Sequence, residues 1–238
     1  MFNLKAYAIR STVLVCLLTL ILSVAACGGD SASNTPTAQQ LIGKAQAAIQ
    51  KVTAYHFNLA ADKPGTAGLL AITSADGDIA VPDKLKANAT ALALGNTVQV
   101  QLISIGEKQY ITDPITGKWT ATTGLLNPMT LSDSKTGVAA IIGNIQNPST
   151  PTDSNSDGTA CWLINGKLDA KYLAGITGGG APAGTQVATT TCIGKTDNLP
   201  YLIRMNGIVV QGDTDKTVRT FKLSKFNESL TIVAPALQ

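Results

Sequence analysis

The sequence contains a single histidine, His56, among 238 residues. Serine and cysteine hydrolases need a base beside the nucleophile, and most zinc sites need several imidazoles or thiolates. This scarcity argues against an enzyme, with no catalytic residue, metal or cofactor expected. His56 lies between Tyr55 and Phe57 and reads as a half-buried structural side chain. Charge is scarce too. Asp, Glu, Lys and Arg make up 14%, where about 25% is usual. The formal net charge is +3, with Lys and Arg scattered rather than clustered, which leaves no footprint for nucleic acid. Aromatic residues are only 5%. Glycine motifs of the P-loop, dinucleotide-binding and nucleophile-elbow kinds are absent. Hydrophobic residues still make up 45%, which excludes wholesale disorder.

No apolar run reaches the about 20 residues that span a bilayer. The run Thr12–Leu22 has 11 residues. It follows Lys5 and Arg10 and precedes Val24-Ala25-Ala26-Cys27-Gly28. A basic segment, a short apolar core and small residues before a cysteine resemble the bacterial lipobox. Residues 1–26 then form a signal peptide, and the Cys27 sulfur carries a diacylglycerol. Two acyl chains suffice for stable anchoring, which places the chain on the outer face of a bacterial cytoplasmic membrane. Cleavage removes Lys5, Arg10 and no acid, so the mature chain is nearly neutral. An ordinary secretory cleavage with a chance cysteine is the alternative. Cys16 leaves with the signal peptide, so Cys161 and Cys192 remain as a pair in a compartment that permits disulfides. Both lie on segments that read as strands. A bridge closing a loop of that size contributes on the order of 3–4 kcal/mol; two buried thiols are the alternative.

Residues 27–36 read as a flexible tether and 37–238 as one domain. Thr35 or Thr37 caps a helix in which Leu41, Ile42, Ala45, Ala48, Ile49 and Val52 share one face. After it the period changes to two: 55–59, 69–73, 77–81, 84–93, 97–105, 109–112 and 118–120 read as strands. Asp76-Gly77 reads as a hairpin turn. Asp76, Asp78 and Asp83 are taken as turn residues rather than an acid–base pair. A second amphipathic helix spans 134–145. A polar loop covers 146–158; Asp153-Ser-Asn155-Ser-Asp157-Gly158 within it looks like half of a calcium loop. The twelfth position is Ile164 instead of an acid, so a solvated turn is expected. A strand through Cys161 and Trp162, a short helix at 169–174, and a Gly/Pro loop at 175–184 follow. Strands at 186–193, 199–210 and 217–226 and an extended piece at 230–234 complete an α+β domain built on a large antiparallel sheet. Its aliphatic, aromatic-poor core is compatible with an apolar void.

An ordered set of features resembles the LppX/LprA/LprF/LprG-type lipoproteins of mycobacteria. It comprises the lipobox at Cys27, Lys51-Val-Thr-Ala-Tyr-His-Phe57 after the first helix, and Asp76-Gly77 followed by Pro82. Tyr110 with Trp119, Gly137-Val-Ala-Ala-Ile-Ile142, and Asp157-Gly158 before Leu163-Ile-Asn-Gly-Lys-Leu168 come next. Leu199-Pro-Tyr-Leu-Ile-Arg204 and Lys222-Leu-Ser-Lys-Phe-Asn227 leading to Ile232-Val-Ala-Pro235 complete it. The resemblance implies a strongly curved antiparallel sheet, a half-barrel, with helices on its concave face enclosing an apolar cavity. It further implies binding of acyl lipids or glycolipids, carriage between membrane and outer envelope, and a membrane exporter as partner. Polar groups at the mouth, with 146–158 and 175–184 as rim elements, would set specificity. Two departures stand out. Thr191-Cys192 and Ser224-Lys225-Phe226 occupy places where the family carries tryptophan. The rival reading is a lipid-anchored structural or interaction module with a solid core.

Overall fold

The computed structural model describes residues 35–65, 71–93, 95–124, 127–177, 181–182 and 184–237. The expected signal peptide, Cys27 and most of the expected tether lie outside these residues. Pro36–Gln238 forms one compact unit. Its apolar cluster runs from Ala38 to Leu223, so the unit carries its own core, the condition for folding without the N-terminal segment.

Helix α1 (Ala38–Ile49) opens with a capping box. The Gln40 backbone N–H donates to Thr37 Oγ1 at 3.3 Å, and the Thr37 N–H donates to Gln40 Oε1 at 3.0 Å. Two otherwise orphaned donors are thereby satisfied. Leu41, Ile42, Ala45 and Ile49 are buried on one side, as their spacing requires.

Eleven strands follow: β1 (Ala54–Asp62), β2 (Ala71–Ala80), β3 (Lys84–Ala93), β4 (Asn96–Ile105), β5 (Lys108–Thr112), β6 (Trp119–Thr122), β7 (Thr152–Ser156), β8 (Thr159–Asp169), β9 (Gln186–Gly194), β10 (Pro200–Asn206) and β11 (Val218–Ser224). They form one sheet in the order β6-β5-β4-β3-β2-β1-β11-β10-β9-β8-β7. Every neighbouring pair is antiparallel. The sheet is thus two meanders joined by the long-range pairing of β1 with β11. Between β6 and β7 lie α2 (Pro128–Ser132) and α3 (Val138–Gly143); a 3₁₀ turn (Ala170–Leu173) and α4 (Ala174–Thr177) follow β8.

Some local expectations fail. Asp76-Gly77 is not a turn but the middle of β2, where Gly77 stands between Phe57 and Ala87. A Cβ there would lie 2.4 Å from the Lys86 carbonyl oxygen and 2.6 Å from Ala87 Cβ. Glycine is present for close approach, not for reversal. The chain turns instead at 81–83, across a cis Val81–Pro82 bond. The other Asp-Gly pair does form a turn. Asp157 and Gly158 have φ of 48° and 91°, the two positive values of a hairpin turn. The expected loop therefore contains β7, paired with β8 from Thr152 to Ser156. The helix read at 134–145 is α-helical only over 138–143, and 230–234 adds no strand.

Candidate functional site

The sheet has two chemically different faces, fixed by register. Toward the helices point Tyr55, Phe57 and Leu59 of β1, with Leu223 and Phe221 of β11 beside the last two. Ile203 and Met205 of β10, Val187 and Ile193 of β9, and Ile164 and Leu168 of β8 continue that face. All but the half-buried Leu59 are buried. In the other half, Ala75 and Gly77 of β2 meet Ala89 and Ala87 of β3, and Val100 and Leu102 of β4 lie beyond them. The floor there is low, because its side chains are small. Helix α3 is buried all round, through Val138, Ala139, Ala140, Ile141 and Ile142, as a helix apolar on every side must be. It packs against α1, and α2 against β3. One apolar layer results between sheet and helices.

Within this layer sit polar groups of two kinds. Arg219, buried on β11 beside Met205, is bonded through both terminal guanidinium nitrogens to Asp213, whose side chain is fully buried. The same carboxylate accepts the backbone N–H groups of Gly65 (2.8 Å), Val209 (3.0 Å) and Val210 (2.9 Å). Burial by itself pushes this carboxyl up. The guanidinium and the three N–H donors outweigh that and hold it below the usual carboxylate range. Thr217 Oγ1 donates to the Lys63 carbonyl at 2.7 Å, so the 207–217 connection and the end of β1 are fastened together. Sequence reading passed over Arg219, although the alternation Arg219, Phe221, Leu223 marks it as inward-facing. The second kind is hydroxyls without partners: Tyr55, Thr189 and Thr191, with Ser132 at the end of α2.

The opposite face is polar. His56 Nδ1 lies 2.8 Å from Asp78 Oδ1, and Nε2 lies 3.1 Å from Asp76 Oδ2. Asn58 donates to that same Asp76 oxygen at 3.3 Å. His56 is half-buried, as expected, but Asp76 and Asp78 are mid-strand partners of its ring and not turn residues. Beside them an open groove of about 520 Å³ is lined by Asn58, Asp76, Asn88, Thr90, Gln99 and Gln101, among others. A second groove, of about 510 Å³, flanks α1 beside Lys44 and Lys51. Ala75, Ala89 and Val100 also line the first groove, and Val52 and Leu199 the second.

Cys161 on β8 and Cys192 on β9 are joined by a disulfide, with Cα atoms 5.6 Å apart. Register puts both on the polar face, diagonal to each other, so Thr191 and not Cys192 faces the helices. The other departure, Phe226, meets Tyr201 edge-on at 5.3 Å. The carboxylates of the half calcium loop are taken by lysines. Asp157 pairs with Lys222 at 2.9 Å, and Asp153 pairs with Lys195, whose ammonium also lies 4.1 Å from the Trp162 ring centre. Among the described residues no three His, Cys, Asp or Glu side chains are grouped to hold a metal. The first part of 146–158, the expected rim element, is stitched to β8 by Gln146–Lys167 and Ser149–Asn165 backbone bonds. Part of 175–184, like Cys27, falls outside the described residues.

Comparison with known proteins follows the same lines. The family model described as LppX_LprAFG lipoprotein matches residues 37–232. Lipoprotein LprA of Mycobacterium tuberculosis is 24% identical over 240 residues, covering 92% of this chain and 94% of that protein. LprA of Mycobacterium bovis is 25% identical over the same shares. Among solved structures, LprF from Mycobacterium bovis aligns with a TM-score of 0.68 at 20% identity, over 84% of this chain and 97% of that one. The Mycobacterium tuberculosis lipoprotein LppX aligns with a TM-score of 0.60 at 19% identity, over 82% and 98%. The fold is that open, curved half-barrel, and the chain belongs to the LppX_LprAFG lipoprotein family.

Proposed function

We propose that this chain is an envelope lipid carrier, acylated at Cys27 and held on the outer face of the bacterial cytoplasmic membrane. It takes acyl lipids or glycolipids into the layer between sheet and helices and passes them toward the outer envelope, with a membrane exporter as partner. One observation carries the reading: the helix-facing side of the sheet is aliphatic and low-relief, floored by Ala75, Gly77, Ala87 and Ala89. Each CH₂ buried there contributes about 0.8 kcal/mol, so such a layer competes with a bilayer for acyl chains. No bond is broken and no catalytic group is needed.

A second reading is a lipid-anchored interaction module with a solid core. It is favoured by the completeness of packing among the described residues, where Ile79, Ile141, Ile142, Ile164 and Leu173 have no exposed surface. Native mass spectrometry of residues 28–238, made in a related bacterium, separates the two. A discrete adduct that extracts as acyl lipid is the result expected of a carrier. A bare mass that stays bare after incubation with host lipids refutes the carrier.

A further inference from the structure

On its helix-facing side β9 presents Val187, Thr189, Thr191 and Ile193 in turn. Two hydroxyls thus interrupt an apolar row. Thr191 lies between Ile164 and Ile203, and Thr189 between Gly166 and Met205. Thr191, Ile164, Ile203 and Met205 are 0% exposed and Thr189 3%. Neither hydroxyl has a hydrogen-bond partner. Burying an unpaired hydroxyl is costly, and valine would fill the same space at no such cost. Two such groups side by side call for an explanation.

A Cβ at Gly166 would meet Ile145 Cγ2 at 2.5 Å and lies 3.7 Å from Thr189 Oγ1. Ile145, just past the end of α3, therefore sits directly over this part of the sheet. Arg204 and Lys167, paired with Thr190 and Ala188, point to the other face, and the nearest cation on this face, Arg219 beside Met205, is already committed to Asp213. The site therefore offers hydroxyls, which both donate and accept, and no free positive charge.

We propose that Thr189 and Thr191 form a polar subsite inside the apolar layer that hydrogen-bonds the uncharged ester oxygens of an acyl-lipid cargo entering beneath Ile145. This rests on the carrier reading. Each threonine O–H donates to an ester carbonyl and finds the partner it lacks in the ligand-free chain. The subsite favours ester-linked chains over bare hydrocarbon and over anionic head groups.

The test uses residues 36–238, delipidated, with two probes: dioleoylglycerol, which carries two esters, and squalane, which has no polar atom. In T189V/T191V, affinity for dioleoylglycerol is expected to fall by at least about fivefold, the loss of two neutral hydrogen bonds, while squalane affinity is unchanged. T189S/T191S, which keeps both hydroxyls, should retain the wild-type preference. The ligand-free valine variant should unfold at the same temperature as wild type or higher, because it loses only unpaired groups. Equal loss for both probes, or loss for neither, overturns the subsite. Wild-type protein that takes up neither probe refutes the carrier reading itself, a result distinct from uptake without ester preference.

Discussion

Asp213→Ala should be the most damaging single polar substitution in the domain. It strips the partner from Arg219, whose side chain is only 8% exposed, and removes the acceptor of the Gly65, Val209 and Val210 N–H groups. Leaving one charge of a buried pair unpaired costs about 3–5 kcal/mol. The orphaned backbone donors push this toward the upper end. For a domain of this size each kcal/mol lowers the melting temperature by about 2–4 °C, so the midpoint should drop by roughly 6–20 °C. Thermal and urea unfolding of residues 36–238, disulfide intact, measure it. Adding Arg219→Met should return part of the loss, because the stranded charge is gone. The pH dependence has a definite sign. The Asp213 carboxyl titrates lower in the folded chain than when unfolded. Its contribution is therefore fully present above the ordinary aspartate value of about 3.9 and is lost as pH falls below it. The stability gap between wild type and D213A should be constant near neutrality and close only in acid. A drop under about 2 °C, or a gap that closes above pH 6, would refute the reasoning.

The remaining predictions concern the sheet and α1. Replacing Cys161 and Cys192 together by alanine should cost about 3–4 kcal/mol in urea unfolding, from the 31-residue separation that the bridge closes; under 1 kcal/mol would mean that strand pairing alone restrains that loop. Gly77→Val should destabilise by about 1–3 kcal/mol, because its side chain would run into Lys86 and Ala87. Gly43→Ala is the opposite case. It is exposed inside α1 with nothing within 4 Å of a new Cβ, so stability should rise by about 0.5–1 kcal/mol. A loss there would show that α1 is not the regular helix described.

The sequence by itself determined the class of the domain. Period-two alternation in 55–59 and 85–91 chose which side chains face the core, because a one-residue slip would turn every one of them outward. The capped, amphipathic first helix was legible for the same reason: spacing fixes the buried face before any partner is known. The second helix was legible in place but not in length. What escaped depends on neighbours distant in sequence. Two Asp-Gly pairs look alike on paper. One became the middle of β2, because Phe57 and Ala87 flank Gly77 and leave no room for a side chain; the other became a hairpin, because β7 and β8 had each other to pair with. Asp76 and Asp78, two apart on a strand, share a face by the pleat, but only the pairing of β2 with β1 sets them against His56. Gly65 and Asp213 are 148 residues apart and meet because β1 pairs with β11. The unpaired hydroxyls of Thr189 and Thr191 were hidden most completely. A threonine in a strand is ordinary, and only the tertiary structure decides whether its hydroxyl meets water, a partner or neither.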